Sequence, residues 1–412
     1  MTRFAFHRDV VGASRTALWR PAIWFGALPG ALIFPLGPAW PQQIRSDVRI
    51  GVVAVHDSNL LRTNRIRGGA DQAEDTRITP TITLDLKHRR GRHNFYLKGD
   101  AGYDFYDRNK QLEAARVAME GGGRFALGAR CKADLTAALD VQQSDIAELG
   151  VVIRNRSQSL TYSGYLACPR PAGLYPELNA SRTVTDNSSA ARSIFDLRVL
   201  SAGGSLVYAR PSLGQVALYY SYGLLERPGV LDPVTGQQDS SRIHRAGVRF
   251  DRYVAARLGA SLVVGMVDVK PRRSTTPGFS SVDWLGEIKW QPTSLASLTA
   301  RFQRQVRGES NFGASYVVAD GIALESRWSL SPRTNLELQA RHERRRLRGE
   351  EPTPGLPPRQ SDKTVQVGAK LRYALTPSLQ LGGEVAYSRR DAGDPFYDYH
   401  STRAGLRADY RF

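Results

Sequence analysis

The last eleven residues alternate without a break. Thr402, Ala404, Leu406, Ala408, Tyr410 and Phe412 fall on one side, and Arg403, Gly405, Arg407, Asp409 and Arg411 on the other. Period two is the side-chain period of a β-strand, so this strand offers one face to lipid and one to water. The segment before Thr376-Pro377 repeats the pattern, with Val365, Val367, Ala369, Leu371 and Tyr373 opposite Thr364, Gln366, Gly368, Lys370 and Arg372. Residues 93–105 do so again, with Phe95, Leu97, Ala101, Tyr103 and Phe105 against Asn94, Lys98, Asp100 and Asp104. In hydrocarbon every backbone N–H and C=O must be paired, which leaves a closed all-β barrel as the structure open to such strands. A secreted propeller or sandwich would have to bring its apolar faces together in a core, whereas the alternate faces here are rich in arginine throughout.

From Ile44 onward turn residues break this alternation at intervals that predict strands near 46–57, 76–88, 92–106, 112–128, 131–143, 154–167, 176–187, 193–210 and 214–225. The second half continues with 241–254, 258–270, 281–291, 295–307, 314–330, 335–347, 363–375, 378–390 and 400–412. That makes a transmembrane antiparallel barrel of about 18 strands over 45–412, or 16 if 154–187 forms an extended loop. Short connections such as Arg210-Pro211-Ser212-Leu213-Gly214 and Leu375-Thr376-Pro377-Ser378 alternate with long polar ones near 58–75, 226–240, 271–280 and 348–362. Short turns face the periplasm in such barrels and long loops face outward. Trp290, Trp328, Tyr373 and Tyr410 stand near strand ends, as an interfacial girdle places them.

Ahead of the barrel, Arg3, Arg8, Arg15 and Arg20 form a basic region before the apolar run Ala22–Ala39, which Pro29 and Pro35 interrupt. This reads as a signal peptide over 1–39 for the general secretory pathway, with a short periplasmic lead-in at 40–44. The run is too broken for a transmembrane anchor. Eight of the 57 basic residues are lysine, so 49 are arginine. Removing 1–39 takes four arginines and one aspartate from a net charge of +18, leaving +15 on the barrel. An excess of this size implies an anionic partner without saying which.

The inward faces gather Lys98, Arg249, Arg301, Arg341, Arg345, Lys370, Arg372, Arg403, Arg407 and Arg411, the expected pore-lining set. Asp100, Asp251, Glu287, Glu337, Glu343 and Asp409 are interspersed and positioned to hold guanidinium groups. Such a set either focuses an acidic solute or simply keeps a wide barrel solvated. The run Arg341-His342-Glu343-Arg344-Arg345-Arg346-Leu347-Arg348 stands where a strand meets its extracellular loop. It suits lipopolysaccharide phosphates, a basic pore mouth, or a solvated loop face. Cys131 and Cys168, the two cysteines, both fall at the periplasmic rim, and an oxidising compartment favours a disulfide between them. No catalytic constellation, metal-ligand spacing or phosphate-cradling loop is present in the sequence, so neither an enzyme nor a cofactor is expected. A nucleic-acid role does not fit an exported barrel.

Leu406, Ala408, Tyr410 and the terminal Phe412 resemble the signal read by the barrel assembly machinery. Three further stretches, Val53–Thr63 with Asp75-Thr76 and Arg77–Thr81, Cys168–Leu174, and Ala209–Gly214, are similar to the bacterial "putative β-barrel porin 2" family. That resemblance implies an outer-membrane channel exporting an acidic exo- or capsular polysaccharide beside periplasmic export components. The alternatives are a general anion-selective diffusion porin and, from another class, a barrel enzyme acting on outer-membrane lipids.

Overall fold

Alternating side chains and tight turns produce eighteen strands in the chain. The first nine are β1 (Ile44–Asp57), β2 (Asp75–Arg90), β3 (His93–Tyr106), β4 (Ala114–Leu127), β5 (Cys131–Gln143), β6 (Arg156–Ala167), β7 (Gly173–Asn187), β8 (Leu197–Arg210) and β9 (Gly214–Leu231). The second nine are β10 (Gln238–Val254), β11 (Leu258–Pro271), β12 (Phe279–Thr293), β13 (Ala296–Arg307), β14 (Tyr316–Ser331), β15 (Thr334–Arg348), β16 (Ser361–Ala374), β17 (Leu379–Ala392) and β18 (Tyr399–Arg411). The computed structural model describes residues 44–412 except 65, 67–72, 145–153, 255–256, 311–312, 351–356 and 358. The expected signal peptide therefore lies outside the described residues.

Each strand pairs antiparallel with its neighbour in sequence, and β1 pairs with both β2 and β18, so the sheet closes on itself. The region 154–187 forms two strands, β6 and β7, which settles the count at 18 over 16. Closure leaves no edge strand, which is the condition for a sheet to stand in lipid. The largest boundary difference is at β9, which continues to Leu231 where a loop from 226 was expected. There Glu226 and Arg227 pair with Ser240 and Asp239 of β10, and the connecting loop shrinks to 232–237. Arg227-Pro228-Gly229 has the composition of a turn, but the pairing partners across the ladder override it.

Register fixes the two faces. Ile50 and Val52 of β1 stand opposite Tyr410 and Ala408 of β18, and Ile50, Val52 and Tyr410 are exposed on the outer wall. The ring Trp290, Trp328, Tyr373 and Tyr410 lies on that wall near the short-turn end. At the same end, Cys131 at the start of β5 and Cys168 just past β6 form a disulfide.

One region departs from a simple wall. The pairing of β12 with β13 stops at Trp284↔Arg304, while β13 and β14 go on pairing through Val306↔Val318 and Arg307↔Val317. The free end of this hairpin bends into the barrel. Val306, Tyr316 and Val318 pack there on Leu197, Leu225, Ile243, Val267 and Val269, which are inward residues of β8 to β11. Backbone anchors hold the bend: the Arg245 guanidinium donates to the carbonyl of Val306, and Nη2 of the buried Arg227 donates to the carbonyl of Glu309 at 2.7 Å.

Candidate functional site

The inner wall is the surface on which a solute would meet the chain. Its chemistry follows from period two combined with register, because residues directly opposite on neighbouring strands share a face. All ten expected cations fall on this face. Lys98 aligns with Asp85 and Glu120, Arg301 with Glu287, Arg345 with Asp362, Lys370 with Glu384, and Arg407 with Val53 across the β1–β18 seam.

Most of these cations are compensated. Arg249 reaches Glu177 at 2.7 Å and Asp251 at 2.8 Å, Arg301 reaches Glu287 at 2.7 Å, and Arg407 reaches Asp409 at 2.6 Å. Arg411 lies 3.2 Å from Asp47, Arg341 lies 2.6 Å from Glu343, and Lys370 lies 3.9 Å from Glu384. The expectation of a strongly basic tunnel is therefore too simple. The wall is chiefly a mosaic of ion pairs set by cross-strand register, which a count of arginines along the chain does not reveal.

Three members of the set make no ion pair among the described residues. Lys98 lies over the ring of Tyr96, 5.0 Å from its centroid, while nearby Asp85 is held by Lys87 and Glu120 accepts from the Tyr96 hydroxyl. Arg403 and Arg372 are exposed on the inner face, and Arg372 stands opposite Asn335 and Gly382. Arg372 also lines a cleft of about 470 Å³ near the short-turn end of β12 to β16, together with Gln291, Ser297, Arg327, Glu337 and Lys370. Arg327 is held there by Glu325 and Glu337 and Lys370 lies near Glu384, so Arg372 supplies the uncompensated positive charge of this concave surface.

Towards the long-loop end the wall is closed up by the bent hairpin. Glu309, just beyond β13, takes Arg307 at 2.6 Å and Arg345 at 3.1 Å, and Arg307 also reaches Glu343 at 3.0 Å. Arg345 is buried in this network, so it ties the hairpin to β15 and β16 and is not a free lining cation. Tyr316 donates to the carbonyl of Pro277 at 2.8 Å and Ser315 to Asp239 at 2.8 Å, which adds the β11–β12 loop and β10 to the same assembly.

The sequence carries a sign that these strands are covered on both faces, but not of the bend itself. Val263, Val267 and Val269 of β11 face inward while Leu262, Val264 and Met266 face outward, so the strand is apolar on both sides. Tyr316–Ala319 is buried on both sides as well. A strand apolar on both faces is covered on both faces. The basic run is likewise divided by period two: Arg341, Glu343 and Arg345 point inward, and His342, Arg344 and Arg346 point outward.

Among the described residues no group of His, Cys, Asp or Glu is arranged to hold a metal ion. Residues 228–412 match the model of a family described as "Putative beta-barrel porin 2". Over that stretch the family resemblance holds, and the three signatures at 53–81, 168–174 and 209–214 all precede it. The chain is thus a closed 18-strand barrel of the outer-membrane type that is similar to a porin family over residues 228–412. No curated protein matches it. Among solved structures, Pseudomonas aeruginosa OccK2 (OpdF) in complex with glucuronate is 13% identical over 90% of this chain and 98% of its own, with a TM-score of 0.47. A BenF-like porin from Pseudomonas fluorescens Pf-5 is 12% identical, covering 89% and 99%, with a TM-score of 0.46. Acinetobacter baumannii OccAB3 is 10% identical over 89% and 99%, with a TM-score of 0.44. Likenesses this distant say nothing about the solute.

Proposed function

We propose that this outer-membrane barrel is a diffusion channel favouring small anionic solutes. The observation that carries the reading is the pair Arg372 and Arg403, exposed inner-wall cations that, with Lys98, make no ion pair among the described residues, Arg372 lining the cleft at the short-turn end. A mosaic of pairs solvates the wall without a net field, and uncompensated guanidinium groups supply the bias. The geometry is less suited to export of a polysaccharide. The β13–β14 hairpin bends into the barrel and is pinned there by the apolar cluster and by Glu309, which narrows the path a continuous polymer would need.

The test is the reversal potential of the purified chain in a planar bilayer under a potassium chloride gradient. Chloride preference is expected, and Arg372→Gln with Arg403→Gln should reduce it. A unit charge about 8 Å from an ion in water contributes about 0.5 kcal/mol, or roughly twofold per site at low ionic strength. Cation preference in the unaltered chain would refute the reading. A gene deletion that lowers surface polysaccharide while periplasmic polymer accumulates would restore the export reading.

A further inference from the structure

The outer wall carries charge that the channel reading leaves unused. At the long-loop end of β13 to β17, one transverse row of outward residues runs Arg304, Asp320, Arg344, Lys363 and Asp391, each directly opposite the next. Arg346 lies beside it, and Arg389 lies one step nearer the membrane centre, opposite Val365. Asp320 is shared by Arg304 and Arg346, both at 2.6 Å, and Asp391 is held by Arg389 at 2.8 Å. Arg344 and Lys363 face one another, exposed; the carboxylates on their other sides, Asp320 and Asp391, are taken up by Arg304, Arg346 and Arg389, and neither cation makes an ion pair among the described residues. Like charges directly opposite on a sheet repel, so this juxtaposition calls for an anion from outside the chain.

Depth identifies the source of that anion. Along the outer face of β16 the order is Lys363, Val365, Val367, Ala369, Leu371 and Tyr373, ten residues from the cation to the girdle aromatic. At about 3.3 Å per residue and a tilt near 40°, this spans about 25 Å, the height of the apolar band of an outer-membrane barrel. Tyr373 therefore marks one interface and Lys363 the other. The basic interface lies on the side of the long loops, which is the outer leaflet. Basic residues gather at the same end across the barrel as well: Arg242 of β10 stands directly opposite Lys270 of β11, which is paired with Asp268 at 3.3 Å, and Arg182 and Arg198 of β7 and β8 are exposed nearby.

We infer that Arg344, Lys363 and Arg389, braced by Arg304 and Arg346, form a binding site on the lipid-facing wall for the phosphate groups of an outer-leaflet phosphoglycolipid of the lipid A type. Guanidinium groups bind phosphate through paired, charge-assisted hydrogen bonds, and the apolar strip beneath would carry the acyl chains. Asp320 and Asp391 hold three of the arginines in place, while Arg344 and Lys363 meet the lipid.

The experiment uses the full chain in detergent, with bisphosphorylated lipid A titrated and bound lipid counted by native mass spectrometry. The same titration is run with enzymatically dephosphorylated lipid A, with inorganic phosphate, and on the variant R344Q/K363Q/R389Q. Lipid A is expected to bind the unaltered chain, with at least tenfold weaker binding for the dephosphorylated lipid and for the variant. Binding of both lipids within twofold would overturn the proposal, as would variant binding within twofold of the unaltered chain. Inorganic phosphate that displaces lipid A at equal concentration would reassign the site to free anions. If the variant does not assemble, the comparison of the two lipids on the unaltered chain still decides.

Discussion

Arg345 and Asp362 face each other across β15 and β16 as a two-point pair, Nε to Oδ1 and Nη2 to Oδ2, each at 2.8 Å. Both residues are buried, and the third guanidinium nitrogen reaches Glu309 on the bent hairpin at 3.1 Å. Arg390 of β17 approaches the same aspartate at 3.6 Å. The wall thus grips the hairpin side chain to side chain through Arg345 and Glu309, in addition to the Arg245 and Arg227 contacts to its backbone and the apolar cluster. Glu309→Ala is expected to free the hairpin end while leaving Arg345 paired with Asp362, and to raise single-channel conductance in planar bilayers. Arg345→Leu removes the two-point pair and leaves Asp362 the longer contact to Arg390 and Glu309 the contact to Arg307, so it is expected to cost up to about 3 kcal/mol, read as a lower unfolding midpoint. Unchanged conductance in Glu309→Ala would show that the Glu309 side chain is not what holds the hairpin across the path.

The distinction between paired and unpaired lining cations gives a second prediction. The double substitution R407Q/D409N removes an ion pair and leaves the net charge of the wall unchanged. It should shift the reversal potential little. Arg403→Gln removes one exposed positive charge and should move it towards cation preference, by roughly twofold in permeability ratio at low salt and less above about 0.15 M, where the Debye length is about 8 Å. Equal shifts in the two proteins would mean that the field is not set by the uncompensated cations.

The barrel was legible because its two determinants are local. Alternation such as Leu406, Ala408 and Tyr410 against Arg407, Asp409 and Arg411 assigns faces, and turns such as Arg210–Gly214 assign strand ends. Pairing across the seam was not legible in this way. Arg249 has a local partner in Asp251, but its second, Glu177, lies 72 residues away and is brought near only by three intervening strand contacts. The inward bend was hidden for a related reason. Val267, Val306 and Tyr316 belong to three strands, and each shows only that its strand is more apolar than a simple wall requires. The divided basic run teaches the same lesson, since Arg344 and Arg345 are neighbours in sequence and lie on opposite sides of the wall.

Cys131 and Cys168 enclose a separation of 37 residues. In the chain-entropy account a crosslink over that length stabilises by up to about 4 kcal/mol, by restricting the unfolded chain. The bond joins the base of β5 to the end of β6, strands already paired from Lys132↔Ala167 upward, so it reinforces existing register. C131S/C168S is expected to assemble, to keep its conductance, and to unfold at a lower temperature when heat-modified mobility is followed on gels. A reductant should bring the unaltered protein to the same midpoint and leave the variant unaffected. Equal midpoints for the oxidised protein and the variant would show that the bond adds nothing to the paired strands.

Asp232 governs a pH response outside the membrane. Its carboxylate accepts from the backbone N–H of Val234 at 2.8 Å, Thr235 at 2.9 Å and Ser274 at 2.5 Å, and from the Ser274 hydroxyl at 3.2 Å. It therefore clips the 232–237 loop to the loop between β11 and β12. The backbone N–H of Ser274, followed by that of Thr235, holds the Asp232 carboxyl well below the usual carboxylate range. A depressed folded pKa means that the clip contributes fully above the unfolded carboxylate value near 3.9 and is lost as the pH falls through the lower folded value. Hydrogen exchange in Val234, Thr235 and Ser274 should stay protected, after correction for the intrinsic rate, from neutral pH down to about pH 4. Asp232→Asn, which keeps one acceptor and loses the charge, should raise exchange at all three amides across that range, with the difference from the unaltered chain closing only in stronger acid. Protection lost already between pH 6 and 5 would show that another group holds the two loops together.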